Sequence, residues 1–362
     1  MAKNKRNLLY FSSSKEIGFT GHLSDLAPLL ANTINTVFIS GNTEQYPGIF
    51  KKLDGLNITR CTIETLDTSK NLAAHLWGML NILNRKNPRI VHSQTNYQLL
   101  IAAILKPLFN YKIIQTIHAF NNGKKGIKMA LTKAYLNVMC KIFADKIIFQ
   151  SKYVEDNFAG LKYKSCRLPM GYEGPGKCQP KALSQPISII YAAKFHPAKN
   201  HKWLIENLAS HLEVNNWLLI LPGDGAELDN IRNLVNDKAL TDRVHLPGWV
   251  NREDIDKLYQ AAQIAVVPSN SETLGHNIIE PLSYGIPVIS FPVGIAPDIA
   301  NSSPVVTCVP FYNADALLEA IHNTIKSPDD YSKRSGDALS YFSSHLTWEA
   351  HIKQYEKIID EL

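Results

Sequence analysis

Short apolar runs alternate with segments of helical periodicity along the first half of the chain. Apolar positions three and four residues apart predict helices at 72–83 and 97–108. The short runs predict buried strands at 7–12, 36–40, 90–92 and 112–117. Because strands and helices alternate, we expect a parallel sheet covered by helices.

The second half of the chain repeats this alternation after a segment of different composition. Glycine, proline and polar residues without periodicity predict a linker at 171–184. Strand-like apolar runs then follow at 187–193, 217–221, 264–267, 288–291 and 305–309. The predicted fold class is therefore α/β, with domains at 1–170 and 185–345 and a terminal helix at 346–362.

One predicted helix, within 121–142, is amphipathic and basic. Its apolar stripe consists of Ile127, Leu131, Tyr135, Val138 and Ile142. Lysines flank this stripe, and a basic amphipathic helix can lie on an anionic bilayer. The interpretation that we favour is that the stripe packs against the sheet and the lysines remain available to a membrane.

Charge is distributed unevenly between the two halves. Residues 1–170 contain 23 Lys and Arg against 9 Asp and Glu, whereas residues 171–362 contain 15 against 23. Between Asp67 and Asp145 there are 11 basic residues and no acidic one. This asymmetry indicates an anionic partner such as a membrane surface or a polyanionic acceptor, the alternative being clustered solubility charge. Nucleic acid is disfavoured because no recognition module accompanies the lysines.

Cysteine usage and hydropathy bear on the compartment. The five cysteines form no CxxC pair and no metal-ligand spacing, which is typical of reduced thiols in a cytoplasmic protein. No apolar run approaches the ~20 residues that a membrane span needs, and no signal-peptide h-region is evident. We therefore expect a cytoplasmic protein, soluble or peripheral on the inner face of the cytoplasmic membrane.

The stretch SETLGHNIIEPLSYGIPVIS carries the chemistry that we consider most informative. Glu272 and Glu280 are separated by seven residues, and the pattern places a helix N-terminus near Gly275, His276 and Asn277. Backbone N–H groups at a helix start favour an anion, while the carboxylates can accept from hydroxyls. This combination suits a nucleotide sugar.

The same stretch resembles the signature of the retaining glycosyltransferases of family 4. The resemblance includes the Glu-x7-Glu spacing, the preceding Pro268-Ser269 and the following Gly285-Ile286-Pro287-Val288-Ile289. It implies two Rossmann-like domains facing across a cleft, the glycosyltransferase-B fold. The first domain would bind the acceptor and the second the nucleotide sugar, and the terminal helix would pack back on the first domain.

The resemblance also assigns roles in the second domain. Lys194 and Lys199, on a loop after a predicted strand, can hold a diphosphate as point charges, and they match a basic pair of the family that often begins with arginine. Val250 would border the nucleotide base, and Glu280 would bind the ribose hydroxyls. Glu272 would either contact the sugar or stabilise positive charge on its anomeric carbon.

Three further features concern the first domain and metal binding. His118 follows a predicted strand, where the family commonly contacts the donor sugar; the alternative is that it only hydrogen-bonds its own loop. Thr20 and Gly21 lie in a glycine turn between a strand and a helix, which predicts an acceptor or phosphate loop without the dinucleotide motif. The acidic pair Asp254 and Asp256 lies in a helical pattern that separates the carboxylates, so we expect no metal site there.

The expected function is transfer of a hexosyl or acetylhexosaminyl group, with retention and without a metal or other cofactor. The donor would be a nucleotide-diphosphate sugar, with UDP favoured, and the acceptor a lipid-linked saccharide in bacterial surface polysaccharide assembly. One alternative is a nucleotide-sugar 2-epimerase of the same fold. Another is a protein that binds a nucleotide sugar at the membrane without turnover.

Overall fold

The structure is a computed structural model, and its described part forms two compact units. It describes residues 7–11, 26, 30, 35–40, 61–65, 71–118 and 126–362. The first unit contains the described residues of Met1–Gln150 together with Val154–Pro169 and His351–Leu362, and the second contains Ser151–Tyr153 and Met170–Ala350. The predicted loop of Thr20 and Gly21 lies outside the described residues.

The first unit is built on a parallel sheet whose seven described strands have the order β3-β2-β1-β4-β5-β6-β7. These strands are β1 Asn7–Phe11, β2 Asn35–Ser40, β3 Cys61–Thr65, β4 Ile90–Ser93, β5 Lys112–Ile117, β6 Lys146–Phe149 and β7 Ser165–Arg167. The main helices are α1 Leu72–Lys86, α2 Asn96–Leu105 and α3 Ile127–Phe143. A short helix α4, Lys152–Glu155, and two 3₁₀ segments, Lys106–Leu108 and Asp156–Lys164, lie between the main elements.

Local sequence explains where helices of this unit begin. Asn71 caps α1, because its side chain accepts from Ala74 N at 3.1 Å. Thr95 and Gln98 form a capping box at the start of α2, so the chain turns into a helix directly after β4. Strands β4 and β5 are buried on both faces, as expected for a parallel sheet between helix layers.

Helix α3 corrects one prediction. Most of its apolar stripe does not pack against the sheet: Ile127, Leu131, Val138 and Ile142 are exposed, and Tyr135 is half-buried with its hydroxyl on Asn96 O of α2. The buried residues of the helix are Leu136 and Cys140 on the opposite face. The physical reason is that α3 carries two apolar faces, and only one of them can be turned towards the core.

The second unit contains a six-stranded parallel sheet with the order β10-β9-β8-β11-β12-β13. Its strands are β8 Ile187–Ile190, β9 Trp217–Pro222, β10 Val244–Gly248, β11 Ile264–Val267, β12 Val288–Ser290 and β13 Val306–Cys308. Its helices are α5 His201–Val214, α6 Leu228–Asp237, α7 Arg252–Ala261, α8 His276–Ser283, α9 Ala296–Ala300, α10 Ala314–Thr324 and α11 Pro328–His345. A 3₁₀ turn, Pro197–Lys199, precedes α5.

The strand order of this second sheet reverses between β8 and β11. Loops that leave the carboxyl ends of such neighbouring strands diverge and leave a crevice, which is where open α/β sheets bind ligands. Here the two loops are hydrogen-bonded to each other: Asn270 N donates to Ala198 O at 2.8 Å, and Asn200 Nδ2 donates to Pro268 O at 2.7 Å. The topology thus brings the predicted lysine loop and the predicted glutamate loop together.

The last helix, α12 (Trp348–Asp360), contributes to the first unit from residue His351 onward. His92 Nδ1 lies 2.5 Å from Tyr355 Oη, and Lys146 Nζ pairs with Glu361 Oε2 at 2.7 Å. His351 Nδ1 lies 2.8 Å from Pro169 O. Among the described helices, none combines the length and hydropathy needed to cross a bilayer.

Candidate functional site

The loop between β11 and α8 leads into the helix start that the sequence predicts to bind an anion. Gly275 caps α8 with φ 92°, a left-handed conformation that lets the chain turn directly into His276. A Cβ at this position would lie 2.7 Å from Ile278 Cδ1, so a larger residue would also crowd the first turn. Glu280 follows within α8, about one turn from its start, as the sequence predicts.

Glu272 lies at the centre of a compact polar cluster beside this helix start. Its Oε1 accepts from Lys199 Nζ at 2.5 Å, from Ser269 Oγ at 2.9 Å and from Asn277 Nδ2 at 2.9 Å. Both charged side chains are largely buried, so the ion pair is shielded from solvent. Three donors fix the Glu272 carboxylate. Because Asn277 of α8 is one of them, the shared carboxylate keeps Lys199 beside the first turn of α8.

The side-chain amide of Asn277 contributes only one of its two polar atoms to this cluster. Its Nδ2 is used by Glu272, whereas Oδ1 is buried and has no hydrogen-bond partner within the described part of the chain. Burying an unpaired acceptor costs free energy, about 1–3 kcal/mol. A ligand hydroxyl that donated to this oxygen would remove that cost.

A pocket of about 910 Å³ is lined by residues from the loops that follow β8, β9 and β10 and by Glu280 of α8. The residues that matter for its chemistry are Lys194, Gly223, Trp249, Val250, Arg252 and Glu280. Three predicted donor-binding residues, Lys194, Val250 and Glu280, therefore line one pocket. Lys199 is not among its lining residues, because it is turned towards Glu272.

Glu280 is held in this pocket by groups that were not predicted from the sequence. Its Oε1 accepts from Tyr172 Oη, and its Oε2 accepts from Tyr259 Oη at 2.9 Å. Arg252 Nη1 donates to Tyr172 Oη at 2.8 Å and lies 4.0 Å from Glu280 Oε1. Because an ionised carboxylate has about four acceptor sites, both oxygens can still accept from a ligand diol.

Tyr172 remains protonated in this arrangement. Burial, reinforced by the charge of Glu280, raises the pKa of Tyr172 above its ordinary value. Its hydroxyl consequently accepts from Arg252 and donates to Glu280. Tyr172 lies in the predicted linker, which had no assigned chemistry, whereas Arg252 could have been noticed because it follows Val250 by two residues.

His118 is positioned within the first unit, directly after β5. Its Nε2 lies 2.7 Å from Gln94 Oε1, and its Nδ1 lies 2.7 Å from Gln150 Nε2. Because an amide oxygen accepts and an amide nitrogen donates, this pairing assigns the neutral tautomer with hydrogen on Nε2. The contact of His118 with a donor sugar stays a prediction.

Two further histidines of the second unit are uncharged at neutral pH. Burial lowers the pKa of His276 at the start of α8. Burial, and to a smaller extent the charge of Lys199, lowers the pKa of His201 to about 4. His201 stacks on Phe195 with 4.1 Å between ring centroids. Since Phe195 belongs to the loop of Lys194 and Lys199, this stacking joins the loop to the start of α5.

We expect acid to destabilise the protein through His201. The unfolded imidazole binds a proton near pH 6.5, whereas the folded one binds it only near pH 4, so stability falls as pH decreases through this window. By pH 5 the loss from this histidine is about 2 kcal/mol. Urea unfolding of His201→Phe at pH 7.5 and 5 should show a smaller loss than wild type, while the exposed His245→Gln control should match wild type. Equal losses in all three proteins would contradict this assignment.

The acidic pair of α7 behaves as expected from its helical spacing. Asp254 accepts from Lys257 Nζ at 2.9 Å, whereas Asp256 pairs with Arg252 at 3.1 Å and accepts from Tyr284 Oη. The two carboxylates thus bind different partners. Among the described residues, no group of three or more His, Cys, Asp or Glu side chains could hold a metal ion.

Comparison with known families covers both halves of the chain. Residues 179–338 match the family model described as glycosyl transferases group 1, and residues 20–170 match that of Glycosyltransferase Family 4. The chain belongs to the family 4, group 1 glycosyltransferases. The family predicted from the Glu-x7-Glu stretch is confirmed.

Several curated relatives of this glycosyltransferase match over limited segments. The lipopolysaccharide core biosynthesis glycosyltransferase LpsE of Rhizobium meliloti is 34% identical over 102 residues, which is 28% of this chain and 28% of LpsE. The matched segments of LpsE and of two other curated relatives each span about a quarter of that relative's length.

Solved structures match this glycosyltransferase over its whole length. The glycosyltransferase from Rickettsia africae ESF-5 aligns with a TM-score of 0.79 and 20% identity, covering 99% of both chains. Alr3699/HepE of Anabaena in complex with UDP aligns with a TM-score of 0.75 and 17% identity, covering 99% of this chain and 100% of that one. With two parallel-sheet α/β units in the chain, the predicted glycosyltransferase-B fold is confirmed.

Proposed function

We propose that this protein transfers a sugar from a nucleotide-diphosphate sugar, with UDP favoured, to a saccharide acceptor. The observation that carries the proposal is the pocket at the β8–β11 reversal. It combines a Glu280 carboxylate held by two tyrosines with Lys194 of the loop after β8, and the helix that carries Glu280 begins beside the cluster of Lys199, Glu272 and Asn277. Carboxylate, cations and helix N–H groups are the partners that ribose hydroxyls and a diphosphate require.

The base, the ribose and the diphosphate of the donor would each contact different residues. The base would lie against Val250 and the exposed ring of Trp249, and the ribose diol would donate to Glu280. The diphosphate would extend towards Lys194, Lys199 and the N–H groups at the start of α8. The UDP complex of the structurally similar Alr3699/HepE supports a UDP donor.

In the reaction, the bond between the anomeric carbon and the diphosphate oxygen breaks, and a bond from the acceptor oxygen to that carbon forms. Negative charge develops on the leaving oxygen, and positioned cations and N–H dipoles stabilise it. Lys199 would serve this purpose, and a sugar hydroxyl would donate to the buried Oδ1 of Asn277. The acceptor hydroxyl passes its proton to the leaving diphosphate as the new bond forms, and family 4 membership supports retention at the anomeric carbon.

We propose a lipid-linked saccharide acceptor in surface polysaccharide assembly, with peripheral attachment to the cytoplasmic membrane. The partial relative LpsE is named for lipopolysaccharide core biosynthesis, which supports this class of acceptor. The excess of basic residues in the first half suits a pyrophosphate-bearing lipid and an anionic membrane. We propose that no metal or other cofactor is needed, because lysines and helix N–H groups supply the positive charge.

Calorimetry with UDP tests the donor pocket directly. We expect wild type to bind UDP and Glu280→Gln to bind it at least about tenfold more weakly, because hydrogen bonds to a charged group contribute about 1.5–3 kcal/mol. Glu253→Gln, which removes the same charge from the exposed start of α7, is the matched control and should retain wild-type affinity. Equal UDP affinity in all three proteins would overturn the assignment of Glu280.

A panel of UDP-glucose, UDP-galactose and UDP-N-acetylglucosamine, with mass spectrometry of products, tests the reaction. Transfer to extracted lipid-linked saccharides supports the proposal. A changed sugar configuration at C2 in the absence of any acceptor would instead show a 2-epimerase. Tight binding without conversion in any mixture would show a binding protein.

A further inference from the structure

Helix α3 exposes a continuous apolar stripe. Ile127 is 79% exposed, Leu131 64%, Val138 55% and Ile142 64%. Spacings of four, seven and four residues place these side chains on one face of the helix. Ala134 is also exposed and lies directly beside the stripe. A patch of this kind on a soluble protein marks an interaction site.

The orientation of α3 is fixed by contacts on its buried face, at the edge of the stripe and at its C-terminal end. Leu136 and Cys140 are buried, and Tyr135 Oη donates to Asn96 O of α2 at 3.1 Å. At the C-terminal end, Lys106 Nζ donates to Phe143 O at 2.9 Å, and Lys164 Nζ donates to Ala144 O at 2.6 Å. The apolar stripe therefore faces outward because the opposite face is anchored.

Positive charge borders the stripe on both sides. At 100° per residue, the exposed Lys128 lies on one flank of the stripe and the exposed Lys141 lies on the other. The sequence contains no acidic residue between Asp67 and Asp145, so nothing within α3 neutralises these lysines. An apolar strip with cationic margins is complementary to a layer that has anionic headgroups above hydrocarbon.

We propose that α3 is a membrane-docking element that lies in the plane of an anionic bilayer, with Ile127, Leu131, Val138 and Ile142 inserted among the acyl chains. The inference deepens the proposed function, because it assigns to a defined helix face the attachment that a lipid-linked acceptor requires. The stripe provides insertion, and Lys128 and Lys141 provide attraction to the headgroups.

A second copy of the chain fits this surface less well than a bilayer does. Pairing two such stripes would bring the lysine margins of both helices close together, and like charges at that distance repel. Anionic headgroups neutralise the same lysines. We therefore assign the stripe to lipid, and self-association becomes an outcome of the test.

The test is flotation of the full chain with phosphatidylcholine vesicles, with and without phosphatidylglycerol. We expect wild type to float with the anionic vesicles, and Leu131→Ser/Val138→Ser to lose at least about tenfold in partitioning. The expected loss follows because withdrawing even one large aliphatic side chain from hydrocarbon costs about a factor of ten. The control Val214→Ser removes an 83% exposed aliphatic group in the second unit and should float like wild type.

The outcomes separate this inference from the proposed function. Unchanged flotation of the stripe variant, or absence of wild-type flotation at low salt, would overturn the docking role. A wild-type dimer that the stripe variant converts to a monomer, with flotation unaffected, would assign the stripe to self-association instead. UDP calorimetry on the stripe variant should match wild type, so loss of UDP binding in both proteins would overturn the proposed donor and leave vesicle docking standing.

Discussion

Replacing Lys199 by alanine should lower the rate at which the enzyme converts its UDP-sugar donor into UDP by about 10²–10³-fold. The structure places Lys199 Nζ 2.5 Å from Glu272 Oε1, beside the start of α8, where the leaving diphosphate would lie. A cation in this position acts mainly on charge that develops during bond breaking, so kcat should fall more than donor affinity. The measurement is coupled detection of UDP with saturating donor and acceptor.

The matched control for this substitution is Lys202→Ala on α5. Lys202 has the same charge but is largely exposed and only loosely paired with Glu206, at 3.8 Å. We expect its rate to stay within about twofold of wild type, since exposed ion pairs contribute little. A Lys199→Ala enzyme with unaltered kcat and an unaltered melting temperature would remove Lys199 from the chemistry.

Replacing Gly223 by alanine should destabilise the second unit by about 3–5 kcal/mol, which combines overpacking with backbone strain. Gly223 has φ 150°, and a Cβ there would lie 2.0 Å from Ala193 O, far inside van der Waals contact. The loops after β8 and β9 would have to separate, and both line the donor pocket. Urea unfolding should show the lower stability, and calorimetry should show weaker UDP binding.

Gly176→Ala is the control for backbone strain alone. Gly176 has φ 93°, but nothing lies within 4 Å of a Cβ at that position. We expect a loss of only about 1 kcal/mol and unchanged UDP affinity. Equal stability of the two variants would show that the pocket does not depend on close packing between the loops of Ala193 and Gly223.

The strands and the helix start of the donor site could be predicted because their signals are local. The run 264–267 is apolar throughout and corresponds to β11, and Gly275 followed by a helical pattern marks the start of α8. In a parallel sheet, consecutive strands of this kind also predict that their C-terminal loops meet at one edge. That is why Lys199 and Glu272, 73 positions apart, could be assigned to one site.

The support of Glu280 could not be predicted, since it depends on contacts between distant segments. Tyr172 lies 108 positions before Glu280, in a stretch whose glycines and prolines indicate only a linker. Arg252 reaches Tyr172 across 80 positions. Hydrogen bonds of this kind follow from the packing of the whole unit, and periodicity carries no information about them.

The error at α3 has a different origin. Periodicity correctly locates an apolar stripe at Ile127, Leu131, Val138 and Ile142, but it does not say what the stripe faces. The helix presents a second apolar face that contains Leu136 and Cys140 and is buried. When both faces are apolar, the choice depends on the fit to neighbouring elements, which the sequence of one helix does not contain.

The end of the chain bears on how this protein can be divided. Ile352, Tyr355, Ile358 and Ile359 of α12 are buried, and the segment His351–Leu362 groups with the first unit. A gene fragment encoding only the first 170 residues would produce that unit with the apolar surface beneath α12 uncovered. Recombinant production of the first unit on its own would therefore require the C-terminal dodecapeptide, grafted through a new connection or supplied as a separate peptide.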